Sequence, residues 1–356
     1  MNIIQIYPRL PPAIDGIGDY SLKLADGLLK NYGIVTHFLT FPQGDKPVSV
    51  INDFPVIEIP SQSTTAFLDS LPKNIDKIIL HYSEYLYDQK YGTPFWLFEA
   101  LETLKRQRQV QLLVMFHEFP AFTFLKKTFY LFPFQSWVAW RIAKIADIIF
   151  TNNSVSKATL ESRLNQPVIS IPVFSNIGEP EQLPPLKERS RRIVVFGTAP
   201  RRGRIYQRST AMLVNTCRLL KVEEIWDVGP SLNLKVSEVQ GVRLVEIGEK
   251  SAEDISNLML DSLAGIAYSN DNRKLTKSGV FATYCAHGVV PIITQAKSSQ
   301  ADGLEVGAHF FAGSQAKSID IESLQIIADQ AHKWYRNHSQ LKSVEVFASQ
   351  LLKDVF

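Results

Sequence analysis

The chain has 356 residues, 45% of them hydrophobic, and a formal net charge of +3. This length suits two domains better than one core, and the composition excludes fibrous and disordered classes. With only two cysteines, no signal-like N-terminus and no apolar run long enough for a bilayer, the sequence predicts a cytoplasmic protein without disulfides.

The first predicted elements are a strand at residues 2–6 and a helix at residues 20–30. The loop between them is rich in proline and glycine, and Gly16 and Gly18 would leave backbone amides open to a ligand near the start of the helix. The dinucleotide fingerprint is not matched, because Ser21 stands where its third glycine belongs. A plain turn before a helix remains the alternative interpretation.

The rest of the first half alternates strands with helices. Continuous apolar strands are typical of a parallel sheet covered on both faces. The further predicted strands are 34–40, 77–81, 111–116, 148–151 and 168–171, and the helices are 94–107, 137–145 and 154–164.

The second half repeats this organisation after a stiff, proline-rich segment. We predict a first domain at 1–175, a linker at 176–190, a second domain at 191–338 and a C-terminal helix at 339–356 that packs back on the first domain. Predicted strands are 193–197, 224–228, 242–247, 262–267 and 290–294, with helices at 206–219, 278–287, 319–334 and 339–352. The fold class is α/β, with two Rossmann-like doubly wound domains facing across a cleft.

A basic cluster begins the second half and has one acidic neighbour, Glu188. Because guanidinium groups favour bidentate contacts with phosphate, the cluster indicates an anion site, with a solvated arginine-rich turn as the alternative. No nucleic-acid motif accompanies it, so we expect no nucleic-acid partner. Its members are Lys187, Arg189, Arg191, Arg192, Arg201, Arg202, Arg204 and Arg208.

Several segments together resemble the GT-B nucleotide-sugar glycosyltransferases, of the retaining group-1 and group-4 type. The segment 8–25, PRLPPAIDGIGDYSLKLA, is similar to the acceptor-side glycine loop of that family, with Asp15 in place of its first glycine. The segment 196–204, FGTAPRRGR, is similar to the strand and loop that hold the donor diphosphate. The resemblance implies that Gly197, Thr198 and the arginines that follow contact the donor, with Arg204 stabilising the departing phosphate.

Two more segments extend the resemblance in the second half. In 245–258, VEIGEKSAEDISNL, backbone groups around Ile247, Gly248 and Lys250 correspond to the family's contacts with the nucleotide base. In 275–288, LTKSGVFATYCAHG, Leu275 and Thr283 replace the two family glutamates. The resemblance implies that this second segment binds phosphate, ribose and sugar through Thr276, Lys277, Ser278, Gly279, Val280 and Thr283.

In the first half, His117 and Glu118 end a predicted strand and resemble the family's His-Asp or His-Glu pair. They are candidates for contact with the donor sugar or the acceptor, while a structural histidine is the alternative. His81 to Tyr85 and the pair Asn152 and Asn153 end other strands in the same way. The aromatic stretch 119–141, which includes Lys126, Lys127 and Arg141, predicts either peripheral membrane contact or simple packing.

The resemblance thus implies a hexosyltransferase that moves glucose from UDP-glucose to a polysaccharide or lipid-linked saccharide, with retention and without a metal or other cofactor. We expect it in the cytoplasm, and peripheral contact with the inner face of the plasma membrane is one of the two interpretations of the stretch 119–141. A catalytically degenerate nucleotide- or glycan-binding scaffold and a nucleotide-sugar epimerase are the alternatives. The scaffold is favoured by the missing glutamates, and the epimerase has a similar two-domain layout.

Overall fold

The computed structural model describes residues 1–13, 15–42, 44, 47–120, 129–234, 237–269, 271–296, 300–313 and 319–353. The chain forms two compact units. The first comprises Met1–Pro172 and Gln340–Phe356, and the second comprises Val173–Ser339.

The first unit is built on an eight-stranded sheet with the order β3-β4-β2-β1-β5-β6-β7-β8. All its paired neighbours are parallel except β3 and β4, which are antiparallel. The strand order reverses between β1 and β5, so the loops after these two strands flank the position where open sheets of this kind bind ligands. The strands are β1 (Asn2–Ile6), β2 (Val35–Thr40), β3 (Val50–Ile51), β4 (Phe54–Glu58), β5 (Lys77–Tyr82), β6 (Gln111–Phe116), β7 (Ile148–Thr151) and β8 (Val168–Ser170).

Helices cover this sheet and bury its apolar strands. The central strand β6 is buried along its whole length, as expected of a parallel strand covered on both faces. The helices are α1 (Gly16–Tyr32), α2 (Thr64–Ser70), α3 (Glu84–Tyr87), α4 (Phe95–Gln107), α5 (Phe132–Ile145) and α6 (Ser154–Leu164).

The second unit has a seven-stranded sheet with the order β11-β12-β10-β9-β13-β14-β15. Only the pair β11 and β12 is antiparallel. The order reverses between β9 and β13. The strands are β9 (Ser190–Phe196), β10 (Glu224–Val228), β11 (Glu238–Val239), β12 (Val242–Gly248), β13 (Ser262–Ala267), β14 (Val290–Ile293) and β15 (Phe311–Ala312).

The helices of the second unit correct two predictions. The single helix predicted at 206–219 is two helices that meet at Ser209, and the arginine-rich segment predicted as a loop is helical from Ala199. Pro200 lies at the start of this helix, where its missing N–H costs no hydrogen bond. The helices are α7 (Ala199–Arg208), α8 (Thr210–Leu220), α9 (Ala252–Leu260), α10 (Gly279–Ala286) and α11 (Ile321–Arg336).

The segment predicted as a linker packs on the second unit. Leu186 is buried there, and its backbone N–H donates to Gln325 at 2.7 Å. The last helix, α12 (Gln340–Leu351), packs in the first unit, where Phe347 stacks on Phe150 of β7 with ring centroids 4.2 Å apart. Across the described ranges, none of the helices has the length and apolar character needed to cross a bilayer.

Candidate nucleotide-sugar site

In the second unit, the loops that follow the four neighbouring strands β12, β10, β9 and β13 lie at the same edge of the sheet. Gly197, which follows β9, has φ +124°, and a Cβ built there would lie 3.0 Å from Val280 Cγ2 in α10. A glycine at 197 therefore permits both the left-handed backbone and the close approach to α10. Two segments that the sequence assigned to the donor diphosphate, 196–204 and 275–288, lie side by side at the reversal point of the sheet.

Arg202 holds these loops together from inside the protein. Its side chain is fully buried and forms an ion pair with Asp227 of β10. Its Nε donates to the Gly197 carbonyl at 2.8 Å, and another nitrogen donates to the Pro230 carbonyl. The sequence predicted a phosphate contact for Arg202, but its guanidinium is enclosed by these partners and serves the loop structure instead.

The other three predicted arginines of α7 are exposed. Arg201, Arg204 and Arg208 are spaced i, i+3 and i+7, which places them on one face of the helix. The Arg204 guanidinium lies 5.6 Å from the Tyr268 ring centroid, just beyond β13. Arg204 therefore lies beside the reversal point, and the three side chains form a basic face there.

Two further arginines of the basic cluster are structural. Arg189 is buried and donates to several backbone carbonyls, including that of His287 at 3.1 Å. Arg192 pairs with Asp261 at 2.9 Å and lies over the Trp226 ring. Among the arginines of the basic cluster, Arg189, Arg192 and Arg202 are thus buried, whereas the three on the outer face of α7 are exposed.

The start of α7 has no side-chain cap among the residues that the structure describes. Thr198, an exposed residue, precedes the helix, and its side chain caps no backbone amide within the described part of the chain. The first turn contains Arg201 and Arg202 and no acidic residue. Because a helix N-terminus carries partial positive charge, cations there raise the local positive potential further.

The start of α10 is capped but adds polar groups to the same region. Ser278 Oγ accepts from the Phe281 N–H at 3.2 Å, and Gly279 is the first helical residue. Lys277 is half-buried. Thr276 is 1% exposed, and its Oγ1 has no hydrogen-bond partner among the described residues.

Thr283 is placed inside α10. Its Oγ1 donates to the Gly279 carbonyl at 2.8 Å and lies 3.2 Å from Ser175 Oγ. The side chain is 1% exposed, and Leu275 is buried as well. The two positions that the resemblance matched to glutamates are therefore part of the packed interior.

The predicted base-binding loop follows β12. Gly248 has φ +77°, and its carbonyl accepts from the Gly229 N–H at 2.9 Å, which ties this loop to the one after β10. Ile247 and Gly248 are half-buried and Lys250 is exposed. Ser251 then caps α9 by accepting from the Asp254 N–H at 3.1 Å.

In the first unit, the Asp15 carboxylate binds backbone amides of the glycine loop in which it lies. Asp15 Oδ1 accepts from the amides of Ile17 and Gly18 at 3.0 and 3.1 Å and from the Tyr7 hydroxyl. Gly16 is exposed and begins α1, whereas Gly18 is buried. Of the two glycine amides that the sequence offered to a ligand, that of Gly18 is bound to Asp15. The sequence analysis missed this role of Asp15.

His117 follows β6 and is 4% exposed. Its Nε2 lies 3.0 Å from His81 Nδ1, and its carbonyl accepts from Asn152 Nδ2 at 3.0 Å. His81, His117 and Asn152, which end three of the predicted strands, are therefore joined by hydrogen bonds in the first unit. Glu118 is exposed, and Lys126 and Lys127 lie outside the described residues.

Three side chains of these sites were not found from the sequence: Gln5, Asp227 and Tyr284. Tyr284 lies in α10 with its ring against Gly265, and its hydroxyl donates to the Ile266 carbonyl at 3.0 Å. A glycine in the middle of β13, opposite a helix that carries a large aromatic residue, was the available signal. No such signal marks Gln5 or Asp227, which look like ordinary strand residues.

No protein-family model matches the sequence, and no curated protein matches it either. Solved structures do match it over almost its whole length. An α-glucosyltransferase in complex with UDP and DNA has a TM-score of 0.61 and 12% identity, with 99% of this chain and 98% of that chain covered. WaaG, a glycosyltransferase involved in lipopolysaccharide biosynthesis, has a TM-score of 0.58 and 11% identity, with 100% of both chains covered.

A third similar structure is the UDP-GlcNAc 2-epimerase from Neisseria meningitidis bound to UDP-GlcNAc. Its TM-score is 0.58 at 14% identity, with 99% of this chain and 100% of that chain covered. This chain thus has the GT-B fold, as its sequence predicted.

Proposed function

We propose that the protein is a hexosyltransferase that uses a UDP-sugar donor, with UDP-glucose as the first candidate. The observation that carries the proposal is the close approach of Gly197 to α10, where a Cβ added at Gly197 would lie 3.0 Å from Val280 Cγ2. It brings the arginine-bearing start of α7, which has no side-chain cap among the described residues, beside the start of α10. A diphosphate is the chemical group that such a site would stabilise most, since it supplies two negative charges to amides and guanidinium groups.

The electrostatics of α7 support this assignment. Arg201 lies in the first turn of the helix, where a cation is unfavourable without an anion. Binding a diphosphate would remove that penalty and would stabilise the charge that develops when the sugar leaves. In this proposal Arg201, Arg204 and Arg208 contact the donor, while Arg202 only supports their helix.

The other contacts follow from the resemblance and from the polar groups in place. Backbone groups from Ile247 to Lys250 would hold the base, and Thr276, Lys277, Ser278 and Gly279 would hold the phosphates and sugar. His117 and Glu118 of the first unit would contact the donor sugar or the acceptor. The proposal includes retention of configuration and a reaction without a metal.

Binding and transfer by the purified protein test the proposal. We expect UDP to raise the melting temperature and UDP-[14C]glucose to transfer label, in EDTA, to a saccharide acceptor or, more slowly, to water. Complete dependence of turnover on manganese would contradict the metal-independent scheme.

A matched pair of variants tests the site. Arg204→Ala should abolish turnover and weaken UDP binding. Arg243→Ala is the control, because Arg243 is an exposed arginine near the start of β12 that pairs with Glu224 at 3.0 Å. Equal turnover by the two variants would exclude a role for Arg204.

The epimerase is a second candidate because an epimerase is among the similar structures. It would interconvert UDP-sugars without an acceptor, so product analysis of UDP-GlcNAc after incubation with the protein separates the two reactions. UDP binding without either product would favour a nucleotide-binding scaffold.

We propose a membrane surface as a further partner of the first unit. Phe129, Tyr130, Phe134 and Trp137 precede or lie on α5, and each exposes between 47% and 59% of its surface. Arg141 lies one turn beyond Trp137 and 5.5 Å from its ring centroid. Exposed aromatic residues with nearby cations suit the interface of an anionic bilayer, which would present a lipid-linked acceptor at the cytoplasmic face.

Vesicle sedimentation tests this contact. Tyr130→Ser with Phe134→Ser should reduce binding to vesicles containing phosphatidylglycerol. Ile326→Ser serves as the control because Ile326 is a comparably exposed apolar residue, 56% exposed, in the second unit. Equal sedimentation of both variants, or of wild type with neutral and anionic vesicles, would contradict the proposal.

A further inference from the structure

Tyr268 directly follows β13 and lies beside the basic face of α7. The Arg204 guanidinium carbon is 5.6 Å from the centre of the Tyr268 ring, a distance at which a cation is attracted to an aromatic face. Arg201 and Arg208, the other arginines of this face, have no carboxylate or ring partner within the described part of the chain. Arg204 is therefore the arginine of this face whose head group has a defined contact within the protein.

The backbone on both sides of Tyr268 is held by residues that follow β14. The Thr294 N–H donates to the Ala267 carbonyl at 3.2 Å, and the Gln295 N–H donates to the Ser269 carbonyl at 3.1 Å. The Ser269 N–H donates in turn to Thr294 Oγ1 at 3.3 Å. The half-buried ring of Tyr268 packs against the apolar core of the second unit, so both the ring and its backbone are fixed.

The backbone of α7 is fixed by the neighbours of Arg204. Arg202 forms its buried ion pair with Asp227 and donates to the Gly197 carbonyl at 2.8 Å. The Tyr206 hydroxyl donates to Asp227 Oδ2 at 2.8 Å. Residues two positions before and after Arg204 lie on the other side of the helix, so these contacts hold the helix and leave the long side chain of Arg204 to be oriented by another group.

An aromatic ring orients an arginine without consuming its charge. A carboxylate partner would neutralise the guanidinium, as Asp227 does for Arg202. Attraction to a ring leaves the full positive charge for a phosphate. A side chain that is restrained before the ligand arrives also loses less rotamer freedom when it binds.

We propose that Tyr268 is a positioning residue that holds the Arg204 guanidinium in place for the β-phosphate of the UDP-sugar donor. This inference rests on the proposed function, in which Arg204 contacts the donor diphosphate. The β-phosphate is the group on which charge develops when the sugar leaves, so a guanidinium oriented in advance stabilises that charge without a further rearrangement.

Two substitutions at position 268 test the inference. Tyr268→Phe keeps the ring face, whereas Tyr268→Leu removes it and keeps an apolar side chain against the core. In titration calorimetry, we expect Tyr268→Leu to weaken UDP binding about two- to fivefold, the effect of one exposed cation–π contact. Tyr268→Phe should retain most of the affinity. UMP, which lacks the β-phosphate, should bind wild type and both variants equally, and thermal unfolding checks that each variant is folded.

A double-mutant cycle separates positioning from direct contact. In the Arg204→Ala background, Tyr268→Leu should cause no further loss of UDP affinity, because the group that it positions is gone. A further loss in that background would show that Tyr268 acts independently of Arg204 and would overturn the inference. An equal loss in Tyr268→Phe and Tyr268→Leu, or an equal loss for UDP and UMP, would overturn it as well.

The outcomes distinguish this inference from the proposed function. If wild type binds UDP and Arg204→Ala weakens that binding while Tyr268→Leu does not, the proposed function stands and the inference alone is wrong. If wild type does not bind UDP, the proposed function is wrong, and the inference is wrong with it.

Discussion

In each unit, the helix after the first strand begins with backbone amides that carry partial positive charge. The two units differ in how these amides are satisfied. At α1, the Asp15 carboxylate accepts from the Ile17 and Gly18 amides. At α7, Thr198 gives no side-chain cap among the described residues, and Arg201 adds positive charge. The first unit has its own anion at this position, whereas the first turn of α7 in the second unit contains no acidic residue.

The comparison shows why a glycine loop alone does not identify a phosphate site. Both loops contain glycine and both precede a helix at the carboxyl end of a central strand. What differs is whether a side chain of the protein already satisfies the amides. By this criterion the helix start of the second unit suits an anionic ligand better than that of the first, which is the basis of the proposed roles.

The largest effect is expected from breaking the support of α7. Arg202→Met leaves the buried Asp227 carboxylate without its ion pair, which should lower the free energy of unfolding by about 3–5 kcal/mol. Urea denaturation of the free protein measures it. Arg208→Met, on the exposed face of the same helix, should change stability by less than about 0.5 kcal/mol. A similar small change for Arg202→Met would mean that the ion pair does not hold the loops.

Acid should destabilise both units through one buried histidine in each. Burial lowers the pKa of His81 to about 3 and that of His287 to about 4, from 6.5. The unfolded chain binds more protons in these windows. Stability is therefore full above pH 6.5 and falls as pH drops, by about 1.4 kcal/mol per pH unit for each histidine.

The slope of unfolding free energy against pH, between pH 6.5 and 4.5, measures this effect. His81→Leu and His287→Leu should each reduce this slope by about 1.4 kcal/mol per pH unit, which is the contribution of one bound proton. An unchanged slope in either variant would show that the corresponding imidazole is not buried neutral.

Substitution of one glycine in each helix, Gly18 in α1 and Gly203 in α7, compares how closely the two helices are packed. A Cβ at Gly18 would overlap the Arg9 carbonyl, whereas a Cβ at Gly203 of α7 meets nothing within 4 Å. We expect Gly18→Ala to destabilise the protein by about 1–3 kcal/mol and Gly203→Ala to stabilise it by about 0.5–1 kcal/mol. Equal melting temperatures for the two variants would contradict the difference in packing.

The smallest effect on stability is expected when α7 is given an anion of its own, as α1 has in Asp15. Arg201→Glu places a carboxylate in the first turn of α7 and should raise the free energy of unfolding by about 0.3–1 kcal/mol. The same change should weaken UDP binding by about tenfold or more, since it replaces a donor to phosphate by a like charge. Calorimetry of both quantities checks the prediction, and a loss of stability together with unchanged UDP affinity would refute it.

Much of the fold was readable from the sequence because its strands are strongly apolar and well separated. The strands 2–6, 111–116, 148–151, 224–228 and 262–267 have the predicted bounds. The two-residue strands β3, β11 and β15 were missed, since so short a run has no periodicity of its own. The five-residue strand β4 was missed as well, because Pro55 lies within it and argues against a strand. The start of α7 was missed because its arginines resemble a solvated turn, and the buried side of that helix is formed mainly by Arg202 and Ile205.

The sequence by itself determined the α/β class, the two-unit organisation and the segments that carry polar groups at strand ends. Apolar runs, prolines and glycines act locally, so their consequences can be read along the chain. Only the tertiary structure decided which charged groups are available: Arg202 and Asp15 are occupied within the protein, while Arg201 and Arg204 are exposed. The same holds for the hydrogen bonds of His117. Its partner His81 and the partner of His81, Gln5, come from other strands, so sequence distance does not reveal them.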